Sequence, residues 1–274
     1  MKKMNRFCAG AALILMFGAA AFIGAKSLKS YLYTKKPLQL NFDHDYYWPD
    51  ASYEDSTWIY ERVFAGFEYY LYIPPQYRED RHNPDVKLPL FVIFHGSGKD
   101  SKYASLGRFG RIFVDKRVQD IRPCAVLVLL ARNDYYENLQ DTSLLIQNVL
   151  LKNECLDKDS LIAYGHSQGA YFAVKLACHQ PELFKAVISG SGYYQVSKKE
   201  LLKVLPVQFY FGLARNDKGI YEQGILTGPL LEKYCRNSIY AEYPTRGHFY
   251  VELKDAPPGK DTTFLQWLEK VLTD

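Results

Sequence analysis

The sequence predicts an α/β protein with a mostly parallel central sheet and helices on both of its faces. Three observations carry this. First, LPLFVIF (88–94), CAVLVLLA (124–131), SLIAY (160–164), AVISG (186–190) and PVQFYFG (206–212) are short runs with little polar alternation. Such runs are expected of strands buried on both faces. Second, segments with helical spacing of apolar residues stand between and after them, which supplies the covering layers. Third, a chain of 274 residues with 48% hydrophobic content is long enough for one large core, and no internal repeat divides it.

Residues 1–25 differ from the rest. MKKMNR is followed by FCAGAALILMFGAAAFIGA (7–25), nineteen residues without a charge, close to the ~20 needed to span a bilayer. A basic start, an apolar stretch and the small pair Ala19-x-Ala21 equally describe a cleavable secretory signal. Both alternatives predict export, with the body of the chain secreted, periplasmic or tethered outside the cytosol. They differ in whether this segment remains as a single transmembrane anchor. Residues 26–56, polar and aromatic with Pro37 and Pro49, are expected to form a lead-in or linker.

Residues 57–274 are expected to form one domain. It opens with TWIYERVF and FEYYLYI, joined through Ala65-Gly66 as an antiparallel hairpin. A polar loop follows, then the parallel strands, and SIYAEY (238–243) supplies the last. Leu145, Ile146, Val149 and Leu150 form one helical stripe. Ala170, Ala173, Val174 and Ala177 form a second, of mostly small residues that let a helix lie close to the sheet. Phe264, Trp267, Leu268, Val271 and Leu272 form the stripe of the final helix.

Charge excludes one broad class. Three of the 34 Lys and Arg stand before the first apolar run, leaving 31 against 30 acids in the body. Basic residues are scattered among acids, so no nucleic-acid partner is expected. Five cysteines include Cys8 in the apolar segment. The others, Cys124, Cys155, Cys178 and Cys235, show neither C-x-x-C nor zinc spacing, so no metal is expected. Cys124 and Cys178 fall in apolar runs suited to buried free thiols. Tyr pairs such as Tyr69-Tyr70, Tyr135-Tyr136 and Tyr193-Tyr194 fit half-buried strand and loop positions, or a groove for aryl or sugar groups.

In sheets of this kind functional residues gather just after the strands, at their carboxyl ends. Those positions hold HGSG after Phe94, GHSQG after Tyr164, LARND after Gly212 and PTRGHF after Tyr243. A nucleophile, an acid and a base therefore follow in the order Ser167, Asp217, His248. G-x-S-x-G alone is a weak signal, since Gly and Ser are common turn residues. With its partners in order it is a strong one. Over roughly residues 57 to 272 the chain resembles the α/β-hydrolase-fold serine hydrolases. YLYIPPQY, LPLFVIFHGSGKD and HQPELFKAVISGSG resemble the compact esterases related to feruloyl esterases, polyhydroxyalkanoate depolymerases and predicted peptidases.

The resemblance implies an α/β-hydrolase fold with a minimal cap or none. It also implies a serine hydrolase that cleaves carboxylic esters through an acyl-enzyme, with no cofactor. Chemistry gives each residue a role beside it. Gly165 and Gly169 flank Ser167 where side chains would collide if the serine adopts a strained elbow. An imidazole is suited to general-base work, a role that falls to His248, and Asp217 would fix its tautomer. Backbone N–H groups of Gln168 and of the Gly96-Ser97 turn would bind the oxyanion. ARND also occurs at 131–134, so Asp134 competes with Asp217, but it precedes the nucleophile in the chain. His95 is expected to hold its turn through backbone bonds, and His166 to pack at the rim. His44, His82 and His179 lack chemical context. Fourteen residues, 192–205, link two strands without room for a helical lid, which disfavours long-chain lipase action and favours short-acyl or aryl esters. The alternatives left open are a serine peptidase acting on short peptides and a catalytically silent binding protein.

Overall fold

Eight strands form one sheet in the order β1-β2-β4-β3-β5-β6-β7-β8 in a computed structural model, which describes residues 58–62, 68–97, 109–131, 136 and 138–274. Residues 1–56, the Ala65-Gly66 turn, Gly98, Asp134 and Tyr135 lie outside the described residues. β1 (Trp58–Arg62) and β2 (Glu68–Tyr72) pair antiparallel as the expected hairpin, and β2 joins β4 antiparallel. β3 (Leu88–Phe94), β4 (Ala125–Leu130), β5 (Leu156–His166), β6 (Ala186–Gly190), β7 (Gln208–Ala214) and β8 (Ile239–Tyr243) run parallel.

The apolar runs are buried on both faces because alternate residues feed two cores. From β3, Leu90, Val92 and Phe94 enter one core, while Phe91 and Ile93 enter the other; from β4, Leu127 and Leu129 oppose Val126 and Val128. Two short helices, α1 (Arg111–Val114) and α2 (Lys116–Gln119), help cover the second core through Phe113 and Val118. α3 (Leu139–Lys152) covers the first with Leu145, Ile146 and Val149, and α4 (Gln168–His179) with Ala173, Val174 and Ala177. These are the stripes expected from the sequence. α5 (Lys198–Lys203), α6 (Lys218–Gly224) and α7 (Gly228–Tyr234) lie between the later strands. α8 (Phe264–Thr273) buries all five residues of its stripe on the second core. Its Thr263 cap accepts from the Gln266 N–H while the Gln266 side chain reaches back to the Thr263 N–H.

Two of the parallel strands differ from the expected bounds by more than one residue. β5 begins at Leu156 rather than Ser160, since Leu156 pairs with Leu88 across a register shift. Its first residues, Asp157, Lys158 and Asp159, are partly or fully exposed, so no apolar run announces them. β7 is displaced by two residues toward the carboxyl side. Val207 N–H turns back to Val204 O, and pairing with β6 starts at Gln208. Cys124, Cys155, Cys178 and Cys235 are buried free thiols. Among the described residues no helix is long and apolar enough to cross a membrane, and no group of His, Cys, Asp and Glu could hold a metal ion.

Candidate active site

The carboxyl ends of β3, β5, β7 and β8 each deliver one part of the site. Between β5 and α4, Ser167 has φ 56° and ψ −120°, in the left-handed half of the map. A non-glycine residue pays strain there and holds it only where the surroundings impose it. Here they do. The Ser167 N–H donates to Gly190 O at 2.9 Å, and its carbonyl accepts from Tyr171 N at 2.9 Å as α4 begins. A Cβ on Gly165 would fall 2.4 Å from the Gly169 carbonyl carbon. A Cβ on Gly169 would fall 2.1 Å from Phe94 O and 2.5 Å from His95 O. The two glycines are therefore fixed by backbone packing against backbone. That packing brings the start of α4, with Gln168, against the turn carrying Gly96 and Ser97.

His95 anchors this turn. It is fully buried, and its Nε2 accepts from Ala131 N–H at 2.9 Å. Nδ1 must then carry the proton it donates to Gly96 O at 2.6 Å, which leaves a neutral ring with both nitrogens engaged. Tyr136 adds a brace: its hydroxyl accepts from His95 N–H at 3.2 Å and donates to Leu129 O at 2.9 Å. Burial pushes the Tyr136 phenol well above its ordinary range, so it stays a neutral donor. The structural role expected of His95 matches these bonds.

Asp217 follows β7 at the position just before α6, its side chain making no capping bond to that helix; His248 follows β8. His248 Nδ1 lies 2.8 Å from Asp217 Oδ2. Their side chains are 42% and 14% exposed, so the carboxylate is shielded while the imidazole edge reaches solvent. Nδ1–H donating to the carboxylate leaves Nε2 free to accept a proton. The His248 ring packs 4.8 Å from the ring of His166, the residue adjoining Ser167, and Phe109 closes on His166 at 5.5 Å. His166 thus packs between the serine elbow and the histidine loop. His82 and His179 are exposed, and His44 lies outside the described residues.

Several supports were not legible beforehand. Gly247, at φ 59°, donates its N–H to Asn216 Oδ1 at 2.8 Å, tying the histidine loop to the acid loop. Phe249 N–H donates to Ser191 Oγ at 3.0 Å. Arg246 bonds Asp255 beneath the loop and lies 4.5 Å over the Phe249 ring. Burial pushes the Asp255 carboxyl above its ordinary value, against the pull of the Glu252 N–H and Arg246. The bonds of Gly247 to Asn216 and of Phe249 to Ser191 join residues 31 and 58 positions apart, so no local motif encodes them. Asn216, inside the second ARND, stood beside a residue already singled out.

The strand order, with the Ser167 turn after β5, Asp217 after β7 and His248 after β8, is that of the α/β-hydrolase fold. Comparison with known proteins agrees. A model of the prolyl oligopeptidase family matches residues 131–225, a span with Ser167 and Asp217 but not His248. No curated protein matches the sequence. Among solved structures, a thermostable esterase is similar at TM-score 0.57 and 20% identity, covering 79% of this chain and 60% of its own; the chain thus spans 60% of that esterase's length. The deep-sea metagenome α/β hydrolase MGS-M1 has TM-score 0.54, 14% identity and coverage of 80% and 99%. A ferulic acid esterase from Anaeromyces mucronatus has TM-score 0.53, 11% identity and coverage of 70% and 84%.

Proposed function

We propose that this chain is a serine hydrolase that cleaves carboxylic esters through an acyl-enzyme. Ser167 is the nucleophile, His248 the general base and then acid, and Asp217 the group that orients it. The observation carrying this is the 2.8 Å His248–Asp217 bond at the sheet edge where Ser167 sits in its φ 56° turn. The Ser167 Oγ attacks the ester carbonyl as His248 Nε2 takes its proton. The oxyanion is held by the Gln168 N–H and by N–H groups of the Gly96-Ser97 turn. Collapse expels the alcohol, which takes the proton from His248. Water then attacks the acyl-enzyme by the same route and releases the acid. Each proton removed is returned, so no cofactor enters. The esterase likenesses support this reading. In Ser167→Ala, labelling by a fluorophosphonate and ester hydrolysis should both vanish while the fold persists; unchanged hydrolysis would remove the mechanism.

A second reading is favoured by the prolyl oligopeptidase match: amide cleavage in short peptides by the same groups. Acetyl, butyryl and aryl esters assayed beside short peptides on one preparation decide between them. As for location, we propose that the domain works outside the cytosol, delivered or tethered by the apolar stretch 7–25. Protease added to intact spheroplasts should degrade it, and a truncation starting at Lys26 should keep full activity. Protection of the domain on the cytosolic side would refute export.

A further inference from the structure

Along the outer face of α4, three residues stand in line: Ser167 at its cap, Tyr171 one turn on and Lys175 a turn further. Each step advances about 6 Å along the helix axis. Tyr171 and Lys175 are both half-buried. The Tyr171 ring packs at 4.9 Å against Tyr193 and at 5.1 Å, edge to face, against Tyr194, both from the segment after β6. Tyr194 is fixed in turn, its hydroxyl donating to Glu200 Oε1 at 2.5 Å. The result is a braced aromatic wall beginning one turn from the nucleophile.

Lys175 ends this wall. Helical side chains lean toward the amino end, and the Lys175 ammonium lies 5.7 Å from the centre of the Tyr171 ring. The cation is therefore drawn back toward Ser167. Among the described residues no carboxylate stands within ion-pair distance of it, whereas Glu200, the acid behind Tyr194, is already occupied by Tyr194 and by the Ser197 N–H and hydroxyl. An ammonium on a half-buried lysine, beside an aromatic surface and with no ion-paired carboxylate, is suited to an anionic ligand group.

Resting on the serine-hydrolase assignment, we infer that the preferred substrates carry an anionic group held by Lys175, separated from the scissile ester by an apolar or planar spacer lying on Tyr171 and Tyr193. The distance spanned is between one and two helical turns, about 6 to 12 Å. The chain is thus an esterase for acids or alcohols with a distal negative charge, rather than for uniformly neutral esters.

Two 4-nitrophenyl esters test this on the full chain: that of 3-(4-carboxyphenyl)propanoic acid and that of its neutral 4-methyl counterpart. The native protein should favour the carboxylate by about fivefold in kcat/KM, mostly through KM, the size of one partly screened charge contact. Added salt should shrink that ratio. Lys175→Ala should bring it to about one, Lys175→Glu should invert it, and Lys175→Arg should keep it. Because the readout is a ratio within each protein, a change in folded fraction cancels. A native ratio at or below one, or a ratio untouched by Lys175→Ala, would overturn the inference alone. Cleavage of neither ester by the folded chain would overturn the hydrolase assignment and this inference with it.

Discussion

Gly169→Ala isolates the backbone contact on which the site is built. The added methyl carbon would lie 2.1 Å from Phe94 O, 2.5 Å from His95 O and 2.6 Å from the Phe94 carbonyl carbon. Ordinary contact needs more than an ångström of further separation, and no flexible side chain is present to supply it. Either α4 lifts from the end of β3 or the His95–Ser97 turn moves. Forced overpacking costs about 1–3 kcal/mol, and rigid backbone on both sides puts this case at the upper end. The better helix propensity of alanine returns less than about 1 kcal/mol. A net loss of about 2 kcal/mol lowers the melting temperature of a domain this size by roughly 4–8 °C. Catalysis should suffer more, because a shift of about 1 Å between the proposed oxyanion donors and the proposed nucleophile is worth about 100-fold in rate. Thermal melts and kcat on a short-acyl nitrophenyl ester measure both effects. Gly219→Ala is the control: a methyl there meets nothing within 4 Å, and the position is helical. A Gly169→Ala protein within 2 °C and twofold of the native one, about the noise of such assays beside these expectations, would refute the reasoning.

Two further outcomes follow from the same geometry. Asp217→Asn should leave a folded protein with kcat reduced by about 10³- to 10⁴-fold, since an amide can neither set the His248 tautomer nor balance the imidazolium; Asp134→Asn should stay near native, and the reverse result would move the acid to the other ARND. Hydrolysis of straight-chain acyl esters should fall steeply beyond butyryl to hexanoyl, with no rise on emulsified substrate, because the β6–β7 connection holds only the short helix α5; a maximum on long-chain emulsions would contradict an open site.

Legibility in the sequence followed the range of the contacts involved. β3 and β6 were readable to the residue because their side chains are buried on both faces and nothing polar interrupts them. The stripes of α4 and α8 were readable because each meets one core along a single face. α6 and α7 were not, being two turns long and presenting few buried residues. At the site, Ser167 and His248 stood out as chemistry in a turn, and the glycines as spaces. The Tyr136–His95 brace and the Ser191–Phe249 bond depend on how separate strand ends meet in space, and the Arg246–Asp255 pair on how the long segment after β8 folds back on itself. Only folding makes them neighbours.

The strand order has a consequence for timing. The serine elbow leaves the ribosome with β5, whereas the acid and base come from β7 and β8, nearer the carboxyl end. Asp217 and His248 are held by contacts between the ends of β7 and β8, so on the proposed assignment a nascent chain has a serine but no base to activate it. If the protein crosses a membrane unfolded, it makes the crossing inert. On the assignment proposed above, hydrolysis would begin only when the last strand docks, after any such crossing.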